Sequence, residues 1–160
     1  MEKEILSLLE RDGRKSADEL AVMLDMPKEK VAEEIRRLED EKIILGYRAM
    51  VNWEKIESNS IMAYIELKIT PQRGEGFDKV AERIYKYPQV RSVTLMSGAF
   101  DLLLIVEGKT LQDVAMFVSS KLAPMESVIS TATHFILKTY KKDGVVFASD
   151  EKDQREVITL

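Results

Sequence analysis

Hydrophobic residues near the N-terminus recur at the spacing of one helix face in three consecutive segments. Ser16 and Glu19 have the spacing of a capping box, which predicts that the second helix begins there. Pro27 interrupts helical hydrogen bonding, so the second helix must end before it and a third must begin at or near it. We expect one small core, with apolar positions at Ile5, Leu8, Leu9, Leu20, Ala21, Leu24, Val31, Ile35 and Leu38.

After Gly46 the helical spacing gives way to strand-like alternation. Residues 47–60 are interpreted as an extended linker, and 61–70 alternate with Ala63, Ile65, Leu67 and Ile69 on one face. The pattern continues as helix, strand, strand, helix and strand, which predicts an α+β, ferredoxin-like βαββαβ sandwich with both helices on one face. The predicted elements are 61–70, 77–85, 90–97, 101–107, 111–122 and 128–140, and the predicted domains are 1–46, 47–60 (linker), 61–142 and 143–160 (tail).

The segment joining the second and third strands predicts a tight hairpin in which Gly98 supplies a positive φ. Residues 102–106, which follow it, are apolar on both faces, while Tyr64 and Met96 are expected to point away from the helices. A strand that is apolar on both faces is normally buried on both. We therefore expect a homodimer in which a second copy covers the sheet face that carries no helices. Its two helix-turn-helix units would suit palindromic DNA.

Charge gives a mixed indication of nucleic-acid binding. The chain has a formal net charge of -4, and its first fifty residues hold ten basic and thirteen acidic side chains, unlike the basic footprint of most DNA-binding domains. One alternative is a solvated helix face with pairs such as Glu33 and Arg37, but the three-helix context favours DNA. The predicted DNA-binding residues are Lys28, Lys30, Glu33, Arg36 and Arg37, beside the outward-facing Glu29 and Asp40.

Composition narrows the remaining possibilities. The chain has 160 residues, 45% of them hydrophobic, which is enough for one ordinary domain or two small ones. It has no cysteine, and neither a membrane-length apolar run nor a signal-peptide pattern. We expect a soluble, cytoplasmic protein without disulfides or membrane association.

Candidate catalytic and metal-binding chemistry is sparse. His134 is the single histidine and is interpreted as a packing residue rather than a ligand or base. Gly74 and Gly76 lack a phosphate-loop context, so we expect a turn there. The charges from Asp150 onward predict a solvated tail in which residues 157–160 are a candidate edge strand. We expect no enzyme activity, no cofactor and no metal site.

The order of these parts resembles the Lrp/AsnC, or feast/famine, transcription regulators over residues 1 to 142. The resemblance implies dimers joined through the sensing domain, often four in a ring as an octamer, with small effectors such as amino acids bound between dimers. The chain departs from the usual family pattern at Pro27, where a serine commonly caps the recognition helix, and at Glu34, where many members have arginine. The resemblance rests on Leu20-Ala21, Ile35-Arg36-Arg37-Leu38-Glu39, Ile44-Leu45-Gly46-Tyr47, Ser97-Gly98-Ala99-Phe100-Asp101 and Leu102-Leu103-Leu104.

The hairpin from Ser97 to Asp101 is the candidate effector site. Gly98 would allow backbone amides to approach a ligand, and Asp101 could offer a carboxylate to an ammonium group. The resemblance implies that similar hairpins help form the effector pocket; without it, Asp101 would be read as bonding its own turn. The predicted effector-binding residues are Met96, Ser97, Gly98, Asp101, Thr131 and Thr133.

Two functions from different classes therefore stay open. The first is a DNA-binding transcriptional regulator whose oligomeric state or DNA affinity responds to a small metabolite, most simply an amino acid. The second is an oligomeric ligand sensor or protein-interaction scaffold with weak or lost DNA binding. A remote third is an enzyme, because some sirohaem decarboxylases resemble this family, but those rely on histidines that this chain barely offers.

Overall fold

A computed structural model describes residues 1–56, 60–70 and 76–147. The chain divides into two compact units, Met1–Asn52 and Trp53–Leu160, and each unit has its own hydrophobic core. Gly74 of the expected turn lies outside the described residues, as does the expected charged tail with its candidate edge strand. Among the described residues, no helix is both long and apolar enough to cross a membrane.

The first unit contains three helices: α1 (Glu2–Arg11), α2 (Ala17–Leu24) and α3 (Lys28–Asp40). The predicted capping box at the start of α2 is confirmed. The Glu19 amide donates to Ser16 Oγ at 3.3 Å, and the Ser16 amide donates to Glu19 Oε2 at 2.8 Å. Two amides that the helix itself leaves unpaired are thereby satisfied, which stabilises the first turn.

The connection between α2 and α3 is a tight turn. Asp25 adopts the left-handed conformation with φ 51°, and its amide donates to the carbonyls of Ala21 and Val22. Pro27 is the extended residue before α3 and provides no side-chain cap. The predicted break at proline is confirmed, because α2 ends at Leu24 and α3 begins at Lys28, directly after Pro27.

The core of this unit is formed by the predicted stripes of all three helices. Ile5, Leu20, Val31 and Leu38 are completely buried, and the other predicted apolar positions pack around them. The helix α3 ends at Asp40, and Lys42, just beyond it, has φ 59°. The Ile43 amide donates back to the Leu38 carbonyl at 2.9 Å. Residues 45–52 then follow without helix or strand.

The second unit contains a four-stranded antiparallel sheet in the order β2-β3-β1-β4. Two helices join its strands, and the predicted βαββαβ order is confirmed. A short 3-10 helix, Trp53–Lys55, precedes the sheet, and a π-helical turn, Val118–Leu122, continues the second connecting helix. The elements are β1 (Ile61–Ile69), α4 (Phe77–Tyr85), β2 (Val90–Leu95), β3 (Leu102–Gly108), α5 (Leu111–Phe117) and β4 (Val128–Phe135).

The central strand β1 is buried on one face only, as its alternation predicts. Ala63, Ile65 and Leu67 are completely buried against α4 and α5, together with alternate residues of β3. The register places Tyr64 opposite Ile105 and Glu66 opposite Leu103, so these side chains share the other face. The sheet therefore has a covered face under the helices and an open face, which we define by Tyr64, Glu66, Leu103, Ile105, Ala132 and His134.

The connection between β2 and β3 differs from the expected tight hairpin. It spans residues 96–101 and is closed by the Met96 amide, which donates to the Asp101 carbonyl at 2.8 Å. Gly98 is not among the positive-φ glycines of the described chain, which are Gly46 and Gly144. The expectation that Gly98 supplies a positive φ is wrong, because the longer connection turns without a left-handed residue there.

The strand β4 ends at Phe135, so the expected extension to Tyr140 is also wrong. A separate hairpin follows, with β5 (Lys141–Lys142) paired to β6 (Val145–Val146). Asp143 and Gly144 connect its strands with φ 47° and 82°, which is the requirement of a type I′ turn. The Asp-Gly pair is a strong hairpin signal that our interpretation of residues 143–160 as a tail overlooked.

We predict that Gly108→Ala destabilises the second unit by about 1–3 kcal/mol, the usual cost of overpacking. A Cβ atom on Gly108 would lie 2.8 Å from Val114 Cγ2, inside the core that α5 shares with the sheet. The matched control is Gly98→Ala, because a Cβ there would meet nothing within 4 Å. Urea unfolding followed by circular dichroism measures both variants, and equal stability of the two would contradict the packing argument.

Candidate nucleic-acid interface and ligand site

All of the predicted DNA-binding residues lie on α3, but their surroundings differ. Lys28, Lys30, Glu33 and Arg36 are exposed, whereas Arg37 is half-buried. The fully buried Val31 and Leu38 fix the inward side of the helix, so the other side faces solvent. The helix α3 is the recognition helix of the helix-turn-helix, and in this motif the exposed side of that helix enters the major groove.

Arg37 is held by three carboxylates of its own unit. Its Nη2 lies 2.8 Å from both Glu2 Oε2 and Glu34 Oε1, and its Nη1 lies 2.8 Å from Glu41 Oε2. Its Nε also donates to Glu34 Oε2 at 3.0 Å, which completes a bidentate pair. These contacts raise the pKa of the Arg37 guanidinium and lower the pKa of the Glu34 carboxyl.

The expected pair between Glu33 and Arg37 is wrong. Arg37 instead uses Glu34, whose side chain is only 12% exposed and lies closer to the covered side of α3. Partial shielding from water makes this pair stronger than one between fully solvated groups. The departure from the family pattern at Glu34 therefore has a structural role, because this carboxylate anchors Arg37 between α1 and the end of α3.

Lys28 is also paired, but more loosely. Its Nζ lies 2.8 Å from Asp18 Oδ1, and both side chains are more than half exposed. The bond to Asp18 raises the pKa of the Lys28 ammonium. A solvent-exposed pair of this kind contributes little to stability, so Lys28 can exchange the carboxylate for a phosphate at small cost.

Lys30 and Arg36 are the remaining predicted cations on α3. Within the described chain neither side chain makes an ion pair, and both are exposed. They lie six residues apart on the outer side of the helix. Of the basic groups on α3, these two are the best placed to meet DNA phosphates without first breaking a contact inside the protein.

Asp101, the expected effector carboxylate, makes a contact within the sheet. Its Oδ2 accepts a hydrogen bond from the Ile69 amide at 2.7 Å, and its amide donates to the Leu67 carbonyl at 2.9 Å. The carboxylate thus reaches the neighbouring strand β1 rather than its own turn. The pairing of β1 with β3 ends at Leu67, so this bond gives a partner to the Ile69 amide, which lies beyond the end of that pairing.

The other predicted effector residues lie in two places. Met96, Ser97 and Gly98 are exposed on the β2–β3 connection. Thr131 and Thr133 lie on β4 opposite Leu67 and Ile65, on the covered face and with β1 between them and the connection. Their assignment to one ligand site stays a prediction.

His134 is placed differently from our expectation. It lies opposite Tyr64 on the open face, its side chain is 58% exposed, and its Nε2 is 3.3 Å from Glu66 Oε1. Contrary to our interpretation, His134 therefore does not pack in the core of its own chain, because the register of β4 turns this position away from the helices. Alternation along 128–135 contained that information, since His134 follows the covered position Thr133.

The fold and these surfaces define a class of protein, a regulator with a helix-turn-helix unit and a separate α+β ligand-binding unit. The family model described as "Winged helix-turn-helix DNA-binding" matches residues 1–44. The model described as "Lrp/AsnC ligand binding domain" matches residues 62–146. The chain belongs to the Lrp/AsnC family of transcriptional regulators, as its motifs predicted.

Named relatives agree with this assignment. The chain is 46% identical over 159 residues to the uncharacterized HTH-type transcriptional regulator YugG of Bacillus subtilis (strain 168), covering 99% of this chain and 96% of the relative. It is 29% identical over 141 residues to the proline dehydrogenase transcriptional activator of Rhizobium radiobacter, covering 88% and 90%. The fold is shared with the transcriptional regulator NMB0573/L-Met complex from Neisseria meningitidis, with TM-score 0.70, 24% identity, and 88% and 90% of the two chains covered.

We predict that Arg36→Ala and Arg37→Ala separate DNA binding from stability. Arg36→Ala should weaken binding to duplex DNA and lower the salt slope by about one, because one phosphate contact is lost. Arg37→Ala should lower Tm, because Glu2, Glu34 and Glu41 then repel one another without a counter-ion. Fluorescence anisotropy across a salt series and thermal unfolding by circular dichroism measure the two effects.

The pH dependence checks the role of Arg37. The pKa of the Glu34 carboxyl is lowered in the folded protein, so the ionised carboxylate stabilises the fold at pH values above the ordinary carboxyl pKa. This stabilisation is lost as the pH falls through the pKa of Glu34 in the folded state. The difference in Tm between wild type and Arg37→Ala should therefore shrink in acid. An Arg37→Ala protein that loses DNA affinity as strongly as Arg36→Ala, with wild-type Tm, would contradict this division of roles.

Proposed function

We propose that the protein is a cytoplasmic, DNA-binding transcriptional regulator whose DNA affinity or assembly responds to a small metabolite, most simply an amino acid. The observation that carries the proposal is the exposed side of α3, where Lys30 and Arg36 are available to DNA in a chain that also has a ligand-binding unit. Its role is regulatory rather than catalytic. The named relatives are regulators, which supports this assignment.

The excess of acidic over basic side chains indicates that a single helix-turn-helix unit binds DNA weakly. The net charge is -4, and α3 offers few cations that are not already paired with carboxylates. When two or more helix-turn-helix units are held in one assembly, binding of the first to DNA raises the effective concentration of the next at the same DNA. This effect compensates for weak binding by a single unit. This requirement supports a palindromic DNA site bound by a homodimer.

The open face of the sheet supports the dimer. Leu103 and Ile105 are only half-buried there, and Tyr64 beside them is 39% exposed. Burying a large apolar side chain contributes about 1.5–3 kcal/mol, so a self-complementary contact across this face would favour a two-fold pair. Further association of dimers into an octamer is part of the same proposal.

The β2–β3 connection is the proposed effector site. Ser97 and Gly98 are exposed there, so their backbone amides can meet a ligand carboxylate. Asp101 Oδ2 accepts from the Ile69 amide, while Oδ1 has no hydrogen bond among the described residues. The related fold of the Neisseria meningitidis regulator is described as an L-Met complex, which supports an amino acid as the ligand class. The effector would act by favouring one assembly over another, which couples its site to DNA binding.

A second candidate function is an oligomeric sensor or scaffold with weak DNA binding. The observation that favours it is the pairing of Lys28 with Asp18 and of Arg37 with three glutamates, so that two of the predicted cations already contact carboxylates of the chain. Retention of genomic DNA fragments at low salt and their release at high salt would support the regulator. Absence of retention at low salt would favour the scaffold.

We predict that Ile105→Lys converts the dimer to a monomer that keeps its fold. A charged side chain in the middle of the open face cannot be buried against a second copy without a large desolvation cost. The control is Met116→Lys, because Met116 is 59% exposed on α5, the helix that packs against the covered face. Light scattering at micromolar concentration measures the mass, and unchanged association of Ile105→Lys would show that another surface joins the copies.

We also predict that at least one of the twenty amino acids binds the full-length protein in calorimetry and changes its light-scattering mass or its DNA affinity. Asp101→Asn is the informative variant, because an amide oxygen can still accept from the Ile69 amide while the negative charge is removed. Weaker binding by Asp101→Asn with wild-type Tm would support the proposed site. A variant that binds the ligand as well as wild type would remove Asp101 from it.

A further inference from the structure

Glu33 is an exposed carboxylate in the middle of α3 that has no ion pair or hydrogen bond among the described residues. The fully buried Val31 and Leu38 direct the opposite side of the helix to solvent, and Glu33 lies on that side. A carboxylate at this position faces whatever the helix-turn-helix binds. For DNA phosphates, it is a repulsive group.

The protein contains a suitable partner for Glu33 but uses it elsewhere. Arg37 is four residues along the helix, the spacing and orientation at which a glutamate and an arginine pair best. Its guanidinium instead contacts Glu34, Glu41 and Glu2, each at 2.8 Å. Glu33 is thus left unpaired by a specific arrangement of its neighbours rather than by a shortage of cations.

The other acidic residues on the outer side of α3 have simpler explanations. Glu29 lies in the first helical turn, where a negative charge offsets the unpaired amides that Pro27 does not cap. Asp40 lies at the last position of the helix, away from the N-terminal half that reads base edges. Glu33 has neither role, and its exposed carboxylate is available to a partner outside the chain.

Base edges in the major groove offer one kind of partner. A carboxylate only accepts hydrogen bonds, and cytosine presents its N4 amino group there as a donor. Guanine and thymine present acceptor oxygens, and adenine places its N7 acceptor beside its amino group. Cytosine is therefore the base at which a carboxylate meets a donor without an adjacent acceptor.

We propose that Glu33 is a specificity-determining residue that selects cytosine at one position of each DNA half-site by accepting a hydrogen bond from its N4 amino group. This inference rests on the proposed DNA-binding function. At every other base, the charge of Glu33 weakens binding through repulsion of phosphates and base oxygens. Lys30 and Arg36 then supply affinity for any sequence, while Glu33 supplies discrimination.

Selection from a randomised duplex pool tests the inference, using full-length wild type, Glu33→Gln and the control Glu10→Gln. Glu10 is exposed on α1, outside α3. Wild type and Glu10→Gln should enrich cytosine at one position per half-site. Glu33→Gln should lose that preference and shift toward adenine, which a glutamine amide contacts through N6 and N7.

Anisotropy on the enriched duplex gives the size of the effect. Replacing the selected cytosine should weaken wild-type binding by about 5- to 150-fold but change Glu33→Gln binding much less. Glu33→Gln should also bind unrelated duplexes more tightly than wild type, without the lower salt slope expected of Arg36→Ala.

Two outcomes overturn the inference, and they are distinguishable. Sequence-specific binding with the same base preferences in wild type and Glu33→Gln would remove Glu33 from recognition while leaving the regulator proposal intact. Failure of the folded wild type to retain any duplex at low salt would reject DNA binding itself, and the inference with it.

Discussion

The burial of alternate residues along the central strand β1 is the constraint on which the ligand-binding unit depends. Ala63, Ile65 and Leu67 are completely buried under the helices, so the pairing of β1 with β3 and β4 can take only one register. A slip of one residue would bring Tyr64 and Glu66 into the core and expose Ala63, Ile65 and Leu67. The same register brings the Ile69 amide to Asp101 and places His134 beside Glu66 on the open face.

In the helix-turn-helix unit, charged side chains of similar type have different roles. Arg36 and Arg37 are neighbours in the sequence, yet Arg37 joins α1 to α3 through three carboxylates while Arg36 faces solvent. Neighbouring residues of a helix point in different directions around its axis, so Arg37 lies on the partly shielded side of α3 and Arg36 on the exposed side. An acidic unit thus presents a small set of available cations on the side of α3 suited to DNA.

Local signals accounted for most of the architecture. The capping box at Ser16, the break at Pro27 and the alternation in β1 each depend on neighbouring residues, and each is confirmed. The errors arose where a signal was weak or overlooked. Gly98 does not need a positive φ, because the connection spans residues 96–101, and the turn at Asp143-Gly144 was assigned to a tail.

The sequence alone determined the order of elements, the buried sides of the helices and of β1, and the family, because hydrophobic periodicity and motif order are carried by the chain itself. Tertiary structure alone decided the partners of individual polar groups. The bond from the Ile69 amide to Asp101 and the contact between Arg37 and Glu2 join residues far apart in sequence, which no local spacing relates. Such contacts are set by how whole elements pack, and they decide which charges stay available for binding.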